Sequence, residues 1–345
     1  MNKIAVFFGG MSYEHEISIV SAIAMKKVIK KELVFVFVDQ NREFFLITND
    51  KMKSTLFSTG GYKKEQKLEV SNGGFYKRGL FGTTKIDFDI ALNLIHGGDG
   101  EDGVIASIFN FFDIPFIGPR PQACVLSFDK YITKMFAKEI GVKTVDFIKI
   151  DKNNREIKGI DFPMIIKPCR LGSSIGVSVV KEQSELEYAL DVAFEFDEDV
   201  IVEPFINGVK EYNLAGSMTK DGMVFSIVEE PQKKEFLDFE KKYLDFGRSE
   251  QVNSADVENE LIESLKENFT KIYNPFFIGS IIRCDFFVVD GQVLLNEINP
   301  IPGSMANYLF EDFNAVVSNI LLPKNKRIKI NYDYVNKIKS AKGKL

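Results

Sequence analysis

Tryptophan is absent, and the chain holds only two histidines and three cysteines. Cys124, Cys169 and Cys284 are too scattered for a disulfide framework or a zinc site, so a reducing, cytoplasmic setting is expected. His15 and His96 are too few for a histidine-rich metal centre. No run approaches the roughly 18 apolar residues of a membrane span, and no membrane partner is expected. The opening Met1–Phe8 is apolar but soon meets Gly9-Gly10 and Glu14. It is too short for a signal peptide and lacks a small-residue cleavage site. With a net charge of −5 there is no broad basic surface, and no nucleic-acid partner is expected. A local basic site for phosphate stays open. What is present is ordinary: 345 residues, 45% hydrophobic and 27% charged, enough for two or three domains with ample core.

The most informative stretch runs from Arg283 to Gly303. Two apolar, β-branched and aromatic runs flank Asp290-Gly291, a strong hairpin signal. Arg283 and Asp285 share a face of the first strand, and Glu297 and Asn299 share a face of the second. A two-residue turn would pair Asp285 with Asn296 and leave Glu297 on the opposite face. An odd-length loop, with Gly291 left-handed and a bulge, brings Asp285 to the face of Glu297 and Asn299. The odd loop is the expectation. Three hard oxygen donors beside an Arg suit Mg²⁺ with phosphates and suit zinc poorly. The alternative is a surface hairpin with solvated charges. Asn299-Pro300-Ile301-Pro302-Gly303 leaves the strand so that backbone N–H groups can point at a ligand.

Upstream, residues 3–8 read as a buried strand, Gly9-Gly10-Met11-Ser12 as a turn, Tyr13–Lys31 as a helix and Leu33–Val38 as a second buried strand. That is the start of a parallel α/β sheet, without the three spaced glycines of a dinucleotide fingerprint. Glu14 opens the helix, where it either serves the macrodipole or faces a ligand. Residues 41–85 are polar, with short strands and no assigned chemistry. Asp89–Leu94 is a strand ending in His96-Gly97-Gly98-Asp99-Gly100-Glu101-Asp102-Gly103, then a helix from Val104 to Phe112. His96 and Glu101 are either pocket residues at the binding edge of the sheet or turn and cap residues.

Three prolines between Pro115 and Pro121 mark a boundary. One helix follows, carrying Ser127, Asp129, Lys130 and Lys134. Phe162–Pro168 reads as a strand with Lys167 at its end. Arg170–Val177 is a Gly/Ser loop before a returning strand: a phosphate cradle or a plain flexible hairpin, but not a P-loop. Ser184–Phe196 is a helix with Ser184 as N-cap and Glu187 at the capping-box position. Val200–Ile206 is a strand, and Glu211 begins the next. Residues 228–255 form a long charged segment, read as a lid or as disorder. Asp256–Tyr273 and Met305–Ile320 read as helices. Lys324–Leu345 is basic and reads as a short strand or tail, with no chemistry assigned.

These motifs, in this order, resemble those of the ATP-grasp enzymes, and more narrowly the D-alanine–D-alanine ligases. Gly9–Ser18 is close to that family's opening signature. His96-Gly97 with Gly100-Glu101-Asp102-Gly103, Asp129-Lys130, Lys242-Tyr243 and the metal hairpin have counterparts there. Lys167-Pro168-x-x-x-Gly172-Ser173-Ser174-x-Gly176 is similar to its glycine-rich loop. The resemblance covers nearly the whole chain. It implies a fold of an N-terminal parallel-sheet, Rossmann-like domain (1–120) and a two-part α+β ATP-grasp unit (121–205 and 206–345, with the lid near 229–255).

What it implies for function is ATP-dependent ligation of two D-alanines through an acyl phosphate, for peptidoglycan precursors, with Mg²⁺ (two ions, or Mn²⁺ as a substitute). Glu14 would hold the first ammonium, and His96 would line the pocket. Lys130, Lys167 and Lys242 would meet ATP phosphates under the Ser173-Ser174 loop. Glu203 would take the ribose and the backbone near Phe205 and Ile206 the adenine edge, with Glu211 close by. Tyr243 would join Ser173 and Glu14 in a hydrogen-bonded set, favouring a dipeptide over an ester. Asp285, Glu297 and Asn299 would hold the metal, and Arg283 with the Gly303 N–H would face the oxyanion. Tyr308 stands where these ligases commonly place a Ser for the second substrate's carboxylate, and Leu309 beside it would line the same substrate site. A homodimer is implied by the resemblance alone. The rival readings are an ATP-grasp ligase with a different second substrate (another D-amino acid or a D-hydroxy acid) and a nucleotide-binding protein without turnover.

Overall fold

In the computed structural model, which describes residues 2–231, 252–324 and 328–342, the chain builds three sheets. The first holds β1 (Lys3–Gly9), β2 (Glu32–Val38), β3 (Phe44–Ile47), β4 (Gln66–Ser71), β5 (Gly74–Gly79), β6 (Gly82–Lys85), β7 (Ile90–Asn93) and β8 (Phe116–Ile117). Its order is β6-β5-β4-β3-β2-β1-β7-β8. Strands β2, β1, β7 and β8 run parallel, and the polar residues 41–85 supply the antiparallel edge β3–β6.

The continuous apolar run of β1 follows from cover on both faces. Ile4, Val6 and Phe8 share one core with Ile19 and Met25 of α1 (His15–Val28). Ala5 and Phe7 share another with Ile105 and Phe109 of α3 (Val104–Phe111); a short α2 (Ser54–Ser58) lies between these helices in sequence. Each fully buried Phe contributes about 1.5–3 kcal/mol.

The second sheet is antiparallel, ordered β11-β10-β12-β9: β9 (Ile148–Asp151), β10 (Met164–Pro168), β11 (Ser178–Val180) and β12 (Asp199–Pro204). The third is β14-β13-β15-β16: β13 (Lys210–Thr219), β14 (Gly222–Glu229), β15 (Ile282–Val289) and β16 (Gln292–Asn299). Alternation divides the third sheet. Tyr212, Leu214, Cys284, Phe286 and Ile298 face the core with Phe269 and Tyr273 of α7 (Asn259–Phe276). Asn213, Arg283, Asp285, Glu297 and Asn299 therefore face the other way.

Three helices differ from the sequence reading. The single helix expected after Pro121 is two, α4 (Pro121–Phe128) and α5 (Lys130–Glu139). Asp129 breaks them: its backbone is extended, and its carboxylate accepts the Tyr131 N–H at 2.9 Å and the Ile132 N–H at 3.1 Å. Ser184 is not an N-cap. Helix α6 (Gln183–Phe194) starts one residue earlier, and Glu185 reaches back to the Lys181 N–H at 2.7 Å. Residues 305–320 are not one helix either. Ser304, Met305 and Ala306 make a left-handed turn (φ 47°, 53° and 50°), and Asp312 caps α8 (Phe313–Asn319) through the Ala315 N–H. Each left-handed non-glycine residue costs roughly 1–2 kcal/mol. Burial of all three, and a Ser304 N–H donated to Ser21 Oγ at 3.3 Å, hold the turn.

Candidate active site

The β15–β16 hairpin corrects the expected turn and keeps its consequence. Val289 pairs with Gln292, so the connection is the two-residue Asp290-Gly291 turn, with φ of 49° and 75°. Positive φ at both positions is the primed turn that matches strand twist. The bulge lies inside the strand instead: Phe286 pairs with Leu295 and Asp285 with Glu297, leaving Asn296 extra. Glu297 thereby stands opposite Asp285, and Asn299 opposite Arg283.

Arg283 donates to both Asp285 oxygens, Nε to Oδ1 at 2.6 Å and Nη2 to Oδ2 at 2.8 Å. Asn299 Nδ2 donates to Asp285 Oδ2 at 3.0 Å. Burial, with Glu297 and Glu211 adding to it, nevertheless pushes the Asp285 carboxyl up to about 7 against the pull of Arg283. Two carboxylates with an amide oxygen are the hard donors magnesium takes. Among the described residues no three His, Cys, Asp or Glu side chains gather as a metal cluster. The set fits magnesium only with the amide counted and phosphate oxygens added.

Across the cleft stands Glu14, 5% exposed, just before α1. Two glycines let it in. A Cβ on Gly172 would lie 2.9 Å from both carboxylate oxygens, and one on Gly97 would lie 2.7 Å from Oε2. Ser173 Oγ donates to Glu14 Oε1 at 2.5 Å, and Oε2 has no hydrogen-bond partner among the described residues. Ser173 and Ser174 both sit at left-handed φ (55° and 58°), which curls the loop onto Glu14. Burial, then Glu101, push the Glu14 carboxyl up to about 7. Burial pushes Glu101 up to about 8 and pulls His96 down to about 4. His96 is thus a neutral imidazole, with Nε2 3.0 Å from Ser21 Oγ and Nδ1 3.6 Å from Glu101.

The cleft between these groups is lined by Glu101, Lys130, Gly172, Asn296, Glu297 and Asn299. Lys130 Nζ donates to the Leu171 carbonyl at 2.5 Å. The β15–β16 hairpin, the glycine-rich loop and the Glu14 turn therefore meet at one place.

Other expected site residues already have partners or packing within the chain. Lys167 is turned onto Glu203 at 2.7 Å. Glu203 is also paired with Lys134 at 2.9 Å, so a ribose hydroxyl would share oxygens already engaged. Burial works against the Glu203 charge, yet Lys167 and Lys134 outweigh it and hold the carboxyl down to about 2. The Phe205 N–H donates to the Pro163 carbonyl at 2.9 Å; Ile206 follows it, half-buried. Glu211 lies in β13 opposite Phe287, on the Asp285 face. Gly303 begins the left-handed turn. Tyr308 is buried, its Oη 3.4 Å from Arg283 Nη1. Leu309, expected at the substrate, is 1% exposed and packs with α1 in the core. Lys242 and Tyr243 lie outside the described residues. Sequence reasoning assigned no role to Lys134; its spacing of four from Lys130, which puts both on one face of α5, was the available signal.

A mixed N-terminal sheet with four parallel strands, followed by two antiparallel sheets that close a glycine-rich loop over a carboxylate hairpin, defines an ATP-grasp enzyme. Family models described as D-ala D-ala ligase N-terminus and D-ala D-ala ligase C-terminus match residues 3–119 and 136–315, and the chain belongs to that ligase family. It is 59% identical over 345 residues to the D-alanine–D-alanine ligase of Sulfurovum sp. (strain NBC37-1), covering 99% of both chains. It is 57% identical over 344 residues to that of Wolinella succinogenes, covering 99% of this chain and 100% of the other. The crystal structure of the D-alanine–D-alanine ligase from Helicobacter pylori matches with a TM-score of 0.85 at 47% identity, over 94% of this chain and 100% of that one. The VanG D-Ala:D-Ser ligase of Enterococcus faecalis matches at 0.68 and 25%, over 91% and 93%.

Proposed function

We propose that this chain joins two D-alanines to D-alanyl-D-alanine at the expense of ATP, supplying a peptidoglycan precursor. The observation that carries the reading is the Ser173–Glu14 hydrogen bond, which closes the glycine-rich loop onto the N-terminal turn. It brings the phosphate end and the amino-acid end of the chemistry into one cleft.

In this reading the first D-alanine seats its ammonium on Glu14, whose unpartnered Oε2 is an acceptor waiting for a donor. A bound ammonium favours the ionised carboxylate and so pulls Glu14 down from about 7. The D-alanine carboxylate attacks the γ-phosphorus, the bond to the bridging oxygen breaks, and ADP leaves an acyl phosphate behind. The neutral amine of the second D-alanine then attacks the acyl carbon. The carbon–oxygen bond to phosphate breaks, the amine loses one proton, and amide and inorganic phosphate result. Magnesium held by Asp285, Glu297 and Asn299 would screen the transferring phosphoryl charge. Lys130 faces the same cleft as a further cation. Arg283 and the Gly303 N–H stabilise the oxyanion. Lys242 and Tyr243 would close the site from above.

The residue roles belong to this proposal, as do a second metal ion or manganese, a homodimer and a cytoplasmic location. So does the division at 120 and 205, supported by one sheet lying within each part. The described residues contain no helix long and apolar enough to cross a membrane. One observation favours a second reading. Tyr308 fills space with a buried phenol beside Arg283, so a second substrate other than D-alanine is the competing reading. The test is phosphate release from ATP with D-alanine alone and with D-serine or D-lactate added, with the products identified. D-alanyl-D-alanine as the main product supports the proposal; no D-alanine-dependent phosphate release would sink it.

A further inference from the structure

Residues 324–345 carry eight Lys or Arg and one acidic residue, Asp333, a charge of +7. The chain as a whole is −5, so everything before this segment sums to −12. A charge asymmetry of this size points to an acidic partner surface. The described part of the segment also exposes apolar side chains. Ile328, Ile330, Tyr332, Tyr334, Val335 and Ile338 are between 47% and 84% exposed. Where the sequence reads as a short strand or tail, residues 333–342 form a helix, α9 (Asp333–Lys342). At 100° per residue, Tyr334, Val335 and Ile338 share one face of it, and Lys337 and Lys339 flank that face on either side.

We infer that residues 328–342 are a docking segment for an anionic lipid bilayer, on which α9 lies in the plane of the surface. Two observations choose this occupant. Lys337 and Lys339 sit at the edges of the apolar face, where ammonium groups meet anionic headgroups while the rings and isoleucines enter the acyl boundary; Lys342 ends the helix. The apolar residues continue outside the helix at Ile328 and Ile330, alternating with Lys329. Nucleic acid would reward the cations but leave these isoleucines in water. The segment does not span: α9 has ten residues, and no described helix is long and apolar enough to cross. Adsorption would hold the cleft near the membrane surface without adding to its chemistry.

The experiment is co-sedimentation of the full chain with vesicles of phosphatidylcholine alone or mixed with phosphatidylglycerol, at low and high salt. Binding to the anionic vesicles that weakens with salt is expected, with little to the neutral ones. Two triple variants separate the contributions: Lys329→Gln/Lys337→Gln/Lys339→Gln and Ile330→Ser/Tyr334→Ser/Ile338→Ser. Each lysine near an anionic surface contributes about 1 kcal/mol, so the charge variant should lose roughly a hundredfold in partitioning. The apolar variant should also lose binding, and both should keep the parent's thermal midpoint, because the segment is outside the core. Equal binding to both vesicle types, or an unimpaired charge variant, would overturn the inference. So would a segment-dependent dimer in light scattering without vesicle binding, which assigns the face to a second copy. RNA binding that survives the apolar variant, again without vesicle binding, assigns it to nucleic acid instead.

Discussion

Lys134 Nζ and Glu203 Oε1 meet at 2.9 Å with both side chains at most 2% exposed. A lysine one helical turn inside α5 has no route to water, and burial pulls its ammonium down while Glu203 pulls it back. Lys167 adds a second cation to the same carboxylate. The pairing ties α5 to strands β10 and β12, and so fixes the base of the glycine-rich loop.

Lys134→Met leaves Glu203 buried with Lys167 alone. Breaking one side of a buried pair costs about 3–5 kcal/mol, and a clear fall in thermal midpoint is expected. The KM for ATP should rise more than kcat falls. A Lys134→Met/Glu203→Gln double variant should recover part of the loss; unchanged stability in the single variant would show that the pair holds nothing. The ionised Glu203 stabilises fully above its ordinary 4.5, and that contribution is lost as pH falls through about 2.

Glu14 has the opposite sign. Its folded carboxyl sits at about 7 against an ordinary 4.5, so the folded state binds more protons between these values. Stability from this group is complete below 4.5 and is lost as pH rises through 7. A shift of this size is worth about 3 kcal/mol. Glu14→Gln, neutral throughout, should therefore be more stable than the parent at pH 8 and little different at pH 4. D-alanine-dependent phosphate release should collapse in the same variant. Thermal melts at the two pH values check the first claim; a variant less stable at pH 8 would contradict it.

Arg283→Ala should lower kcat by on the order of 10²–10³, the usual loss for one oxyanion donor. Arg283→Lys keeps the charge but not the fork on Asp285. It should recover only a small part of the rate in a ligation assay, and full recovery would reduce Arg283 to a point charge.

Magnesium with ATP should raise the thermal midpoint; at a hundredfold excess over Kd the gain is about 2.7 kcal/mol. Chelation should remove the magnesium-dependent part, and Asp285→Asn should behave as the chelated parent does. An Asp285→Asn protein that still responds to magnesium would move the metal away from the β15–β16 hairpin.

The sequence alone determined the order of elements, the family and the residue types of the cleft. Those are local facts: an apolar run on β1, Gly-Ser-Ser after Lys167-Pro168, paired polar positions two apart on β15 and β16. Only the tertiary structure decided that Asn296 bulges to bring Glu297 opposite Asp285, that residues 304–306 turn left-handed, and that Lys167 faces Glu203 with Lys134. Each of these sets a local preference against burial and charge pairing contributed by residues far away in the chain, and no pattern of neighbours along a sequence records which of the two prevails.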